Sequence, residues 1–293
     1  MEENSKLFYK ESGIANPINI TLSICCSLVL IFFLAYFYSL FSTFFPVVYF
    51  NIVAVVVFGF AISFISRFFN RLFKIRSRKK SIIITVILTL FGWYFQWVWY
   101  IFIVSTENFT LFGDLTNVLF ALFRPDLIIS DIIETNKIGV WGIGSIPFTG
   151  VVLWIIWFVE AAIIFFISYN NYAHFETVPF SEKDNTWFKK QHVDYDFEYI
   201  VLKQKFIDEL IENPSETIKN LEKGDGLRHS KLSIYSSLTE PRSLITINNV
   251  RIAQRGKGKK ETTEVLKSFY INNIHLKEIR DNFRIEKASV FEF

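Results

Sequence analysis

The stretch Arg67-Phe-Phe-Asn-Arg-Leu-Phe-Lys-Ile-Arg-Ser-Arg-Lys-Lys80 carries Arg67, Arg71, Lys74, Arg76, Arg78, Lys79 and Lys80, and no acid. Apolar runs flank it, 47–69 before and 81–104 after. Each is long enough to cross a ~30 Å hydrocarbon core as a helix, which takes about 20 residues. Short loops rich in Lys and Arg stay on the cytoplasmic side. The basic loop 70–80 is therefore expected to lie in the cytoplasm, and it orients everything else.

Upstream, residues 18–44 form another apolar run, separated from the next only by a turn at Phe45–Pro46. Residues 1–17 are polar and contain three Glu, and no small-residue cleavage site follows. The run is thus expected to be a retained span, not a cleaved signal. Downstream, residues 148–169 make a fourth apolar run. Four crossings put both termini, 1–17 and 170–293, in the cytoplasm. Rings at Trp93, Tyr94, Trp97, Trp99 and Tyr100, and at Trp154 and Trp157, then fall in the outer half of their spans. Amphipathic rings favour the membrane interface.

Composition agrees with a divided chain. Hydrophobic residues make up 51%, and 34 of the 293 residues are Phe, yet charge is dense after His174. The net charge of +3 comes from the basic stretch, so a dedicated nucleic-acid surface is not expected. The expected fold is an α-helical integral membrane protein of four transmembrane helices followed by a small soluble α+β domain.

Residues 105–147 form the extracytoplasmic loop, where Glu107, Asp114, Asp126, Asp131 and Glu134 outnumber Arg124 and Lys137. Within it, 125–135 has Pro at the first helical position and an apolar face at Ile128, Ile129, Ile132 and Ile133. This is a short amphipathic helix for the outer surface or the end of the bundle. The glycines at 139, 142 and 144 resemble a dinucleotide fingerprint only superficially, since no parallel strand precedes them. A hinge into the fourth span is the better reading.

In the last 120 residues, 195–202 alternates like a strand, 204–212 has helical spacing, and Ser215 is placed to cap a second helix to Leu221. Residues 231–238 and 242–254 read as strands, 255–260 as a hairpin tip, and 261–270 as the returning strand. Residues 275–284 close as a helix.

Glu160 is the sharpest single feature, alone among apolar residues in the fourth span. An ionised carboxylate deep in the bilayer costs on the order of 2.5–3.5 kcal/mol or more, so it needs a partner, water or a proton. With the span ending near 169, the expected depth is the middle of the membrane. Ser63, Thr85 and Thr89 then lie nearest in depth, Arg67 can reach up from the inner edge, and Gln96 lies too far out. Gly59 and Ser63 form a small-residue pair that lets a neighbouring helix approach. Cys25 and Cys26 are expected to pack in the core.

No catalytic constellation is legible, and neither a cofactor nor a metal site is expected. His192 and Asp194 share a strand face without further ligands. Trp187, Lys189 and Lys190, with Arg71, Lys74, Arg76, Arg78, Lys79 and Lys80, are expected to rest on anionic headgroups of the lipid bilayer. The leading functional expectation is an inner-membrane protein whose cytoplasmic domain binds a ligand or partner, with homo-oligomers allowed. The alternative is an oligomeric channel or transporter using Glu160 and gated by that domain. A membrane-embedded enzyme ranks third.

Overall fold

Four helices in the computed structural model are long and apolar enough to cross a membrane. In chain order the helices of this part are α1 (Pro17–Phe44), α2 (Val48–Leu72), α3 (Arg78–Ser105), α4 (Leu111–Ala121), α5 (Pro125–Ile138) and α6 (Gly150–Ala173), with α4 and α5 the short ones. The structure describes residues 7–45, 48–106, 109–140, 142–143, 146–252 and 260–286. Pro46 of the expected turn, Glu107, Gly144 and residues 255–259 of the expected hairpin tip lie outside these. The chain divides into two units, residues 13–176 and residues 1–12 with 177–293.

In the first unit, α1, α2, α3 and α6 form a bundle around Ile31, Ala35, Ile62, Leu88, Val98, Trp99, Leu153 and Ile164, which are sealed from solvent. A Cβ on Gly92 would meet Ile62 Cδ1 at 2.9 Å and Ile31 Cγ2 at 3.0 Å, so this glycine lets three helices converge. Gly59 does the same for α2 and α6: its Cβ would meet Ile167 Cβ at 3.0 Å and the Ile164 carbonyl at 3.1 Å. Ser168 Oγ donates to the Gly59 carbonyl at 2.9 Å.

The basic segment is an ordered turn. Lys74 takes the left-handed conformation, at φ 55°. Ile75 N–H reaches back to the Asn70 carbonyl at 2.8 Å, closing α2 in the manner of a Schellman cap. Asn19 Nδ2 donates to the Phe73 carbonyl, and Arg76 N–H donates to the Ile14 carbonyl. The third helix starts at Arg78, so Arg78, Lys79 and Lys80 occupy its first turn, where three cations oppose the helix dipole. Part of that is offset at the end of α6: Arg78 donates to the Ala173 carbonyl, and Arg67 Nη2 donates to that of Asn171 at 3.2 Å. Two arginines thus cap the negative end of α6.

Several expectations change. Trp97 and Trp99 are buried core residues, not interfacial rings; the Trp99 indole N–H donates to the Phe32 carbonyl at 2.9 Å. Cys25 lies exposed on the outside of the bundle instead of in its core, as a small apolar thiol can. The loop contains a second helix, α4, ahead of α5. At the start of α5, Arg124 grips Asp126 with bonds of 3.0 and 2.7 Å. The guanidinium lowers the Asp126 carboxyl from its usual range. After Gly139, with φ 87°, a two-residue ladder joins β1 (Gly142–Ile143) to β2 (Ile146–Pro147).

In the second unit, β3 (Phe180–Ser181) pairs with β4 (Thr186–Trp187). The main sheet is an antiparallel meander of β5 (Lys189–His192), β6 (Arg228–Ser236), β7 (Arg242–Ile252) and β8 (Lys260–Asn272), in that order. Three helices, α7 (Lys203–Glu212), α8 (Pro214–Lys219) and α9 (Asn273–Asn282), contribute Leu210, Ile218, Leu276 and Ile279 to one core with Ile234, Ile245, Ile247 and Phe269. A smaller cluster gathers Phe188, Tyr235 and Leu244 with Tyr9.

Two local expectations fail here for readable reasons. Residues 195–202 form no strand of the sheet. The Asn249 side chain takes both backbone groups of Ile200, accepting at 3.2 Å and donating at 2.8 Å, and so replaces a ladder partner. Ser215 does not cap α8; Asn213 does, ahead of Pro214 at the first helical position. Residues 7–12 of the N-terminal segment group with this unit. Phe8 bridges to Phe269, and Tyr9 N–H donates to the Ser268 carbonyl at 2.9 Å.

Candidate functional site

Polar groups inside the bundle form two separate sets. The first lies toward the basic end. Ser23 Oγ on α1 donates to Asn70 Oδ1 on α2 at 2.8 Å. The Asn70 amide donates in turn to Ser66 Oγ at 3.3 Å and to Tyr172 Oη on α6 at 3.1 Å. Ser66 shares a 2.7 Å hydrogen bond with Thr85 on α3. Asn171 Nδ2 on α6 donates to Ser63 Oγ at 2.9 Å. Side chains from all four long helices are thereby tied together, with Asn70 at the hub. Arg67 lies beside this seam, its guanidinium 3.5 Å from the centre of the Phe175 ring.

The second set surrounds Glu160 at a different level. Tyr38 on α1 donates its phenolic proton to Glu160 Oε1. The Tyr38 ring is stacked on Phe58, with centroids 4.6 Å apart, which fixes its rotamer. Ser39 Oγ donates to the Gln96 carbonyl at 2.8 Å, pinning α1 to α3 nearby. Glu160 and Tyr38 open on a cleft of about 40 Å³. One water needs roughly 10–15 Å³ by the same measure, so the cleft has room for about three. Its walls are Trp97, Tyr100 and Trp157 together with Ser42, Asn51 and Gln96. Trp97 meets Trp157 edge to face at 4.8 Å and Tyr100 at 5.9 Å. Asn51 Oδ1 is buried and has no hydrogen-bond partner among the described residues.

The expected neighbours of Glu160 are therefore replaced. Ser63, Thr85 and Arg67 belong to the seam, and Thr89 donates to the Thr85 carbonyl of its own helix at 2.8 Å. The cause is the length of α6, which runs to Ala173 instead of 169. Its last turn stays helical in part because Asn171 and Tyr172 find partners on α2. Glu160 then sits thirteen residues from the basic end of α6, about 20 Å, and ten from the other, about 15 Å. That brings it level with Gln96, which is nine residues from the end of α3, or about 14 Å. Tyr38 carried no signal in the sequence, being one ring in an aromatic-rich span.

The remaining candidates stay apart. Arg71 is in the last turn of α2, and Lys74 and Arg76 are in the turn after it. Trp187 packs edge to face on Phe180 at 5.0 Å. Lys189 and Lys190 lie on β5, and Lys190 Nζ is 5.8 Å from the centre of the Tyr235 ring. His192 is hydrogen-bonded to Ser233 at 3.1 Å. Among the described residues no group of three or more His, Cys, Asp or Glu could hold a metal ion.

One arrangement imitates a catalytic triad. Ser215 Oγ is 3.0 Å from His275 Nδ1, and Glu278 Oε2 is 3.8 Å from that same nitrogen. A working triad uses opposite ring nitrogens for the nucleophile and the acid, so that a proton can pass through the ring. With both on Nδ1, and Ser215 buried, these groups brace α8 against α9. No protein-family model, no curated protein and no solved structure matches the chain.

Proposed function

We propose that this is an integral membrane protein whose α1, α2, α3 and α6 cross the cell membrane, with the basic turn and the sheet-containing region in the cytoplasm. The observation that carries the reading is the inverted distribution of polarity in the bundle. Large apolar side chains face outward, as at Phe158 (75% exposed), Val151 (74%) and Phe166 (65%). Ser23, Ser27, Ser63, Ser66, Asn70, Thr85 and Thr89 are buried. Water would reject such a surface, whereas lipid accepts it and polar groups then join helices from within.

Orientation follows from the basic turn at one end of the bundle. Pairing of Phe8 with Phe269 supports an even number of crossings, because the segment before α1 and the region after α6 must then share one side. The exposed Phe120, Phe123 and Ile138 of α4, α5 and the link between them suit the opposite headgroup layer. In this reading Lys189, Lys190 and the basic turn face anionic lipid. The cytoplasmic region serves to bind a ligand or partner, held at the membrane by the bundle. The small volume of the Glu160 cleft favours a bound group over a conducting path.

The test combines extraction with topology. The chain is expected to stay in the membrane pellet after alkaline carbonate. A fluorescent protein fused after Phe293 is expected to glow, and alkaline phosphatase inserted after Phe123 to be active. Release by carbonate, or the reverse reporter pattern, would remove the proposal.

A further inference from the structure

We propose that the Glu160 cleft binds a single ammonium group, the cationic end of a small primary or quaternary amine. This goes beyond the membrane reading, since it concerns the bundle interior whichever way the chain is inserted.

Charge comes first. Among the described residues that line the cleft, Glu160 is the one carboxylic acid and none is Lys or Arg. Tyr38 holds Glu160 Oε1, so one carboxylate oxygen is already fixed in place and the second is left for another donor. The next consideration is the unmatched acceptor. Asn51 Oδ1 is buried in the same wall without a donor among the described residues. An ammonium N–H, or the polarised methyl groups of a quaternary amine, would meet both oxygens.

The lining then selects among cations. Tyr38, Trp97, Tyr100 and Trp157 supply half of the wall, and the other half is Ser42, Asn51, Gln96 and Glu160. Aromatic rings attract an alkylammonium through their quadrupoles, most strongly in desolvated sites, and cages of this composition are a general solution for such ligands. A hard ion such as Ca²⁺ draws its six to eight oxygens chiefly from carboxylates and carbonyls, and Glu160 is the single carboxylate among the described residues that line this cleft. Size sets the upper limit. A cleft of about 40 Å³, against roughly 10–15 Å³ for one water, admits one methylated ammonium head and no large solute. The head could belong to a free amine or to a lipid, and the chemistry of recognition is the same.

The experiment uses the full chain purified in amine-free detergent, with tryptophan fluorescence and thermal unfolding as readouts. Methylammonium and tetramethylammonium chlorides are titrated against NaCl at equal ionic strength. A saturable fluorescence change and a rise in Tm with either ammonium salt, absent with NaCl, are expected. Glu160→Gln and Asn51→Ala are each expected to weaken the response at least tenfold. Should Glu160→Gln fail to give a cooperative melt, Asn51→Ala decides alone. Nanodiscs of phosphatidylglycerol, with and without phosphatidylethanolamine, separate the sources. Competition by the ethanolamine lipid assigns a lipid head, and an equal response in both discs assigns a free amine. No saturable response in the unmodified chain, an equal response to NaCl, or an unweakened response in the folded variants would each overturn the proposal.

Discussion

The phenol of Tyr38 donates its hydrogen bond to Glu160 Oε1 across 122 residues of sequence, joining the first long helix to the last. The only acid inside the four long helices is therefore not solitary. Its partner is itself braced by Phe58, so the pair is a rigid link within the bundle.

Breaking this link is expected to cost stability in a coupled way. Tyr38→Phe and Glu160→Ala, which remove the donor and the acceptor respectively, should each lower the unfolding free energy of the purified protein. The coupling between them should be about 0.6 kcal/mol, the average for hydrogen bonds inside membrane bundles, and no more than about 1.7 kcal/mol. A double-mutant cycle in SDS titrations measures it; strict additivity would show that the bond contributes nothing.

Asn70 is expected to be the more sensitive hub, because it serves Ser23, Ser66 and Tyr172 together. Asn70→Ala removes the acceptor that Ser23 Oγ uses and the amide that donates to Tyr172 Oη in a buried seam, at on the order of 1–3 kcal/mol. Tyr172→Phe leaves the bonds of Asn70 to Ser23 and Ser66 in place and should cost less. Equal losses for the two variants in the same SDS titration would contradict the hub.

At Gly59 the approach of α6 sets the tolerance. Gly59→Ala places a methyl against Ile167 Cβ and the Ile164 carbonyl, and only the side chain of that pair can yield. Gly59→Leu should cost about 1–3 kcal/mol or more through overpacking, and Gly59→Ala should fall between it and the parent. Thermal unfolding in detergent ranks the three, and a parent-like Gly59→Leu would rule out the close approach.

Acid should loosen the second unit through Asp184. Its carboxylate accepts bonds from Ser237 Oγ, Thr239 Oγ1 and, at 3.0 Å, Thr239 N–H. These lower its pKa from 3.8 to about 2. A carboxyl depressed by folding stabilises fully above its unfolded pKa and stops doing so as pH falls through the folded one. The contribution is thus complete above about pH 4 and lost toward pH 2. Fluorescence-monitored denaturant titrations of the full chain at pH 4 and pH 2 should show a smaller drop in Asp184→Asn than in the parent. An identical drop would mean that these bonds do not discriminate between the protonation states.

The division between sequence and tertiary structure follows from the range of the forces involved. Four long apolar runs, the cations of 67–80, the amphipathic character of α5 and the strand-forming composition of β6, β7 and β8 were legible because each is a local pattern. Length against bilayer thickness, charge against lipid and period against side-chain geometry need no distant partner. The facing of the spans was not legible. Lipid and bundle interior both take apolar side chains, so the residues that turn inward carry no contrasting period. Trp99 therefore read as an interfacial ring and is core, and Cys25 read as core and lies outside. For the same reason nothing local could name Tyr38 as the partner of Glu160, or bring Gln96 and Asn51 to one cleft, since helix rotation and the added turn of α6 set those meetings. Phe8 and Tyr9 bond to β8 for an equally non-local reason: an extended segment is recruited by an open sheet edge, and that edge exists only once the other end of the chain has folded.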